Sequence, residues 1–263
     1  MSLNSYLDEI ASKLIIKGSE KESIQNSISV FKSRMKDYFM CHEAVGLKEV
    51  KIFGSYHRDT NLPQKVDYGT DVDIMLVMDN DGATPQTYLD RVRRAVEAKY
   101  STSVIKQSSP TIVLQMQHIK FEITPAIMDG GLYMIKNGNN EWMYTYCATD
   151  FSNLSTANKN NCYMVKPSIR LVKYWNKSKN YGSFASYEIE KAIVNYYSSC
   201  QYDGYNTKQY LLLSLKCIRN LAVYEYQKER LQKAINNIQE AIEDEVKYPS
   251  LALDELKRVI GEL

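Results

Sequence analysis

The chain has 263 residues, 44% of them hydrophobic, with a formal net charge of +2, enough for one large domain or two small lobes with a real core. That balance excludes a protein built chiefly to coat nucleic acid, which would carry a strongly basic stretch, and no stable nucleic-acid partner is expected. Cys41, Cys147, Cys162, Cys200 and Cys217 are scattered without Cys-x-x-Cys spacing, which argues against structural zinc and a disulfide framework.

In chain order, residues 5–38 read as helix, with apolar positions at Leu7, Ile10 and Leu14, then Ile24, Ile28, Phe31 and Met35. Gly18-Ser19 divides it in two. Residues 50–53 form a short strand ending at Gly54-Ser55, and residues 59–70, with Pro63 and Gly69, form a loop. The run Asp71–Met78 is a strand rich in Val, Ile, Leu and Met. Residues 87–99 have helical spacing at Leu89, Val92 and Val96 after Pro85. Ile112, Leu114 and Met116 alternate; Ile119, Phe121 and Ile123 alternate out of phase, which places a turn or bulge near Gln117-His118. Residues 129–140, with Gly130-Gly131 and Gly138, read as an irregular crossing between lobes. From Lys166 the chain is mainly helical, and residues 210–263 are amphipathic helix broken near Tyr248-Pro249-Ser250. No segment is apolar enough to span a bilayer, and the start has neither a basic stretch nor a long apolar core. A cytoplasmic protein without membrane contact is expected.

The chemistry concentrates at Gly54-Ser55, Asp71-Val72-Asp73 and Phe121-Glu122-Ile123. On a strand, Asp71 and Asp73 leave the same face. Lys120, Glu122 and Thr124 share the polar face of the later strand, so Glu122 can point to the same site. Paired carboxylates suit Mg²⁺, a hard cation that prefers carboxylate and phosphate oxygens, and two-metal sites place their ions roughly 3.5 to 4 Å apart. Gly54 permits close approach to a phosphate, and Ser55 with nearby N–H groups can bind its oxygens. Taken singly, each piece reads as structural: a turn, an exposed carboxylate pair, an exposed glutamate. Their order, spacing and strand context together point to metal-dependent nucleotidyl transfer. The three histidines show no metal spacing and no evident Ser or Cys partner. In the segment 169–175, Ile169, Leu171, Val172 and Trp175 have core spacing, which leaves Arg170 and Lys173 on the other, solvated face.

The runs Phe53-Gly54-Ser55-Tyr56-His57-Arg58-Asp59-Thr60, Thr70-Asp71-Val72-Asp73-Ile74-Met75 and Ile119-Lys120-Phe121-Glu122-Ile123-Thr124-Pro125-Ala126 resemble the core of the cGAS/DncV-like nucleotidyltransferases. The similarity continues through residues 166–176 and 186–190, and so spans about 53–190. It implies a two-lobed, polymerase-beta-like α/β (α+β) fold, with a mixed-sheet catalytic lobe over 1–135 and a helical lobe over 136–263. By resemblance, Asp71, Asp73 and Glu122 are catalytic ligands of two Mg²⁺ ions, with Mn²⁺ a substitute. Gly54 and Ser55 become the phosphate-gripping turn, Lys173 a lysine near the triphosphate, Ser186 a hydroxyl near the phosphates, and Tyr187 a ring stacked on the base. Glu122 departs from the family's usual third aspartate; it keeps the charge but is one methylene longer. Arg58 reads equally as a triphosphate contact or a loop arginine.

The resemblance further implies a synthase that joins NTPs into a cyclic di- or oligonucleotide second messenger with loss of pyrophosphate, acting in bacterial anti-phage (CBASS) signalling. A downstream effector would sense the product, and a monomer is the default. Two other readings stay open: transfer to an RNA end, protein or small molecule, and a catalytically silent nucleotide-binding regulator.

Overall fold

The computed structural model describes all residues, Met1–Leu263. The elements run α1 (Leu3–Lys13), α2 (Gly18–His42), β1 (Leu47–Phe53), the single turn α3 (Gly54–His57), β2 (Asp71–Met78) and α4 (Pro85–Lys99). Then follow β3 (Val104–Ser108), β4 (Thr111–Gln115), β5 (Lys120–Asp129), β6 (Leu132–Lys136), β7 (Trp142–Thr145) and α5 (Cys147–Asn160). The remainder is helical: α6 (Val165–Ser178), α7 (Ser186–Ser199), α8 (Thr207–Cys217), a 3₁₀ turn (Ile218–Leu221), α9 (Glu225–Asp244) and α10 (Pro249–Ile260). A mixed sheet and a helical region are therefore both present, as expected. No helix is long and apolar enough to cross a membrane.

The chain divides into two compact units, one comprising residues 17–58 and 69–150, the other 1–16, 59–68 and 151–263. This division differs from the expected 1–135 and 136–263. Leu3, Leu7 and Ile10 of the first helix, with Leu14 at its C-cap, belong to the apolar core of the helical unit, whereas β6 and β7 continue the sheet past residue 135 by hydrogen bonding.

In the sheet unit the strand order is β1-β2-β5-β4-β3, with β6 paired to β5 and β7 to β6. Only β2 and β5 run parallel, pairing Asp71 with Lys120, Asp73 with Glu122 and Met75 with Thr124. Because successive side chains alternate, Val72, Ile74, Leu76 and Met78 share one face and Asp71, Asp73, Met75 and Val77 the other. All the apolar members are fully buried. Helix α4, with Pro85 at its first turn and the Thr84 side chain accepting from the Thr87 N–H, buries Leu89, Val92 and Val96. Phe31 of α2 meets Phe121 of β5 edge-on at 5.5 Å.

Residues 129–136 are not an irregular crossing. Gly130 and Gly131, with φ of 55° and 84°, form a two-residue turn that joins β5 to β6 with Asp129 opposite Leu132. A hairpin turn of this kind needs positive φ at both positions, which glycine supplies without strain. The out-of-phase alternation around Gln117-His118 does mark a turn, closed by the Met116 N–H on the Ile119 carbonyl at 2.9 Å.

In the helical unit Trp175 is buried, as its spacing predicts, but Arg170 and Lys173 are buried too, at 4% and 5% exposure. They do not form a solvated face. Arg170 donates to the Asp59 carbonyl at 2.8 Å. Lys173 donates to Glu190 Oε2 at 2.9 Å and to the Thr60 carbonyl at 3.2 Å. Thr60 Oγ1 itself donates to Glu190 at 2.6 Å. This network ties the segment 59–68 to helices α6 and α7. Tyr197 and Tyr210, both buried, stack at 5.2 Å around Asn161, whose amide donates to the Ala157 and Tyr197 carbonyls.

Candidate active site

The carboxylates expected from the sequence converge within the sheet unit because of strand register. Asp71 and Asp73 lie on β2, directly opposite Lys120 and Glu122 on the parallel neighbour β5, and all four share one face. Further along that face Met75, Val77 and Ala126 form an apolar cluster. The carboxylates thus stand at the upstream end of an otherwise buried surface.

Gly54 is shaped to admit one of them. It follows Phe53, the β1 residue paired with Asp73, and has a φ of 68°. A Cβ there would lie 1.7 Å from Asp73 Oδ2 and 2.5 Å from its Cγ. Only a residue without a side chain lets the turn pass so close to the carboxylate. Ser55 follows in the same helical turn, and the Arg58 N–H closes that turn on the Gly54 carbonyl at 3.1 Å.

The electrostatics are those of crowded like charges. Burial, then Asp71 and Glu122, push the Asp73 carboxyl up to about 7, against the opposing pull of Arg58 and Lys120. Burial also raises Asp71; Lys120 opposes the shift and Glu122 adds to it. Lys120 Nζ bridges the cluster, 2.9 Å from Asp71 Oδ2 and 3.0 Å from Glu122 Oε1. Burial alone would lower the Lys120 ammonium, but its bonds to Asp71 and Glu122 outweigh this and raise it.

As the side chains stand, no group of three His, Cys, Asp or Glu is arranged to hold a metal ion. Lys120 occupies two of the three carboxylates instead. The donor chemistry nevertheless fits: three hard oxygen ligands on adjacent strands suit a divalent cation such as Mg²⁺. Lys120 was not singled out from the sequence. The signal was its position two residues before Glu122 on an alternating strand.

The other expected residues lie in the helical unit. Ser186 opens α7. Tyr187 follows on its first turn, 45% exposed, with Lys191 Nζ 5.9 Å from its ring centre. Lys173 takes part in the buried network with Glu190 and Thr60 described above. Among the histidines, His118 does meet a hydroxyl, Ser27 Oγ at 2.7 Å, as an exposed pair.

Comparison with known proteins bears on the fold and the family. A curated relative, a probable cyclic nucleotide synthase of Bacillus cereus (strain VD146), is 25% identical over 192 residues, 58% of this chain and 56% of the relative. The match thus spans little more than half of that protein. Among solved structures, the Vibrio cholerae DncV cyclic AMP-GMP synthase in complex with the linear intermediate pppA(3′,5′)pG superposes with a TM-score of 0.79 at 11% identity. It covers 99% of this chain and 96% of its own. The CdnC:HORMA-deltaN complex of E. coli MS115-1 gives 0.77 at 13% identity, covering 98% and 97%. At such identities these likenesses speak for the fold alone. The sequence profile of the Second Messenger Oligonucleotide or Dinucleotide Synthetase domain matches residues 1–159, well over half of the chain, and the protein belongs to that family.

Proposed function

We propose that the protein is a metal-dependent nucleotidyltransferase that joins NTPs into a cyclic di- or oligonucleotide second messenger and releases pyrophosphate. The observation that carries this reading is the pairing of Asp71 and Asp73 on β2 with Glu122 on β5 beside a glycine turn that admits nothing larger. Asp71, Asp73 and Glu122 would hold two Mg²⁺ ions, or Mn²⁺ in their place. Bound there, the ions would supply Lewis-acid activation of a ribose hydroxyl and neutralise charge on the triphosphate. The chain's own part is to fix the carboxylate oxygens by strand register, and to keep the Gly54-Ser55 turn close enough for Ser55 and backbone N–H groups to meet phosphate oxygens. Tyr187 offers an exposed ring for base stacking, worth roughly 1 to 3 kcal/mol, and Ser186 a hydroxyl for a phosphate. Lys173 takes part only if its buried pairing with Glu190 is exchanged for triphosphate. Glu122, one methylene longer than aspartate, would complete the ligand set from its place opposite Asp73 on β5. The biological setting proposed is anti-phage signalling through an effector that senses the product, in the cytoplasm.

The test is pyrophosphate release from the four NTPs with Mg²⁺ or Mn²⁺. Release by the wild type and its loss in Asp73→Ala is the expected result. Release that requires an added RNA, protein or small-molecule acceptor would instead favour transfer to that acceptor. NTP binding without any release would point to a silent nucleotide-binding regulator, a reading that the Lys120 bridge across Asp71 and Glu122 favours.

A further inference from the structure

We infer that Lys120 is a tethered counter-ion of the carboxylate cluster, which holds Asp71 and Glu122 in the metal-free chain and competes with a divalent cation for them. The inference rests on the reading of this cluster as a metal site. Register brings Lys120 opposite Asp71, and its position two residues before Glu122 puts both on one face of β5. Its ammonium bridges the two carboxylates at 2.9 and 3.0 Å. A lysine ammonium is a compact point charge with three donors, so it can serve both oxygens at once. Those oxygens are also the ones that a hard cation needs.

The charge arithmetic favours exchange. Asp71, Asp73 and Glu122 carry up to three formal negative charges against one positive charge on Lys120, so a divalent ion that displaces the lysine brings one more positive charge to the cluster than it removes. The side chains of Lys120, Asp71 and Glu122 are 23%, 27% and 30% exposed, so the four-carbon stem of Lys120 has room to swing outward when a cation arrives. Until then the lysine keeps the carboxylates together and lowers their appetite for a stray ion.

Calorimetric titration of the full chain with Mn²⁺ in the absence of nucleotide tests this, with folding checked by circular dichroism. Lys120→Met is expected to bind Mn²⁺ about tenfold more tightly than the wild type, about 1.4 kcal/mol, while Lys120→Arg keeps the wild-type affinity. Lys120→Gln carries the same expectation should the methionine variant not fold. Affinity unchanged or weakened in the neutral variants, with Mn²⁺ binding intact in the wild type or appearing only with NTP, overturns the role of Lys120 alone. Absence of Mn²⁺ binding in every protein, with or without NTP, overturns the metal site itself. In the unmutated chain, Mg²⁺ is expected to shift the Lys120 side-chain nitrogen resonance toward that of a solvated lysine; a resonance that Mg²⁺ leaves in place contradicts the exchange.

Discussion

At the scale of single residues, Gly54 and Asp73 form one device. The carboxylate sits where a Cβ on Gly54 would fall, and the glycine has a positive φ. Gly54→Ala is therefore expected to displace Asp73, abolish nucleotidyl transfer and cost about 1 to 3 kcal/mol of stability from backbone strain alone; urea denaturation and pyrophosphate release read both effects. Asp73 also sets a pH dependence. Its carboxyl is raised from an ordinary 3.8 to about 7, so folding favours the neutral form. The stability this contributes is complete below the unfolded value and is lost as pH rises through about 7. Without metal, the melting temperature is expected to fall between pH 4 and 8, and Asp73→Asn to flatten that slope. The pairing of these residues was legible in outline, because Gly-Ser and Asp-x-Asp carry their chemistry in short motifs. The contact between Gly54 and Asp73 was not, since it depends on the antiparallel register of β1 and β2.

At the scale of elements, the strands that bear the site were readable from period-two alternation, and α4 from its apolar spacing and proline start. The edge strand β3 was missed because Val104 and most of its other residues are exposed, which leaves no buried face to write an alternating pattern. Helix α6 misled in a different way. Its charged positions Arg170 and Lys173 have surface spacing, yet the segment 59–68 covers them with polar partners that no local pattern discloses. The buried pair Lys173–Glu190, 2.9 Å apart, is a tie between α6 and α7. Glu190→Ala would leave a buried ammonium without its carboxylate and is expected to destabilise the protein by about 3 to 5 kcal/mol. Glu190→Gln, which retains the shape and one acceptor, should cost less, as thermal or urea unfolding will reveal.

For the whole molecule, the sheet and helical content followed from the sequence, while the division into units did not. Residues 1–16 and 59–68 belong with the distant segment 151–263, an assignment made by apolar burial of α1 and by the polar network of Thr60, Lys173 and Glu190 rather than by neighbours in sequence. The catalytic reading lives in the sheet unit alone and rests on three carboxylates in register; the cyclic product rests on family membership. The measurement that tests both together is mass spectrometry of phosphatase-resistant products after incubation with all four NTPs and Mg²⁺ or Mn²⁺, with Asp73→Ala beside the wild type. A cyclic oligonucleotide made by the wild type and absent from the variant is the predicted result. NTP binding with no resistant product under either metal would contradict the account.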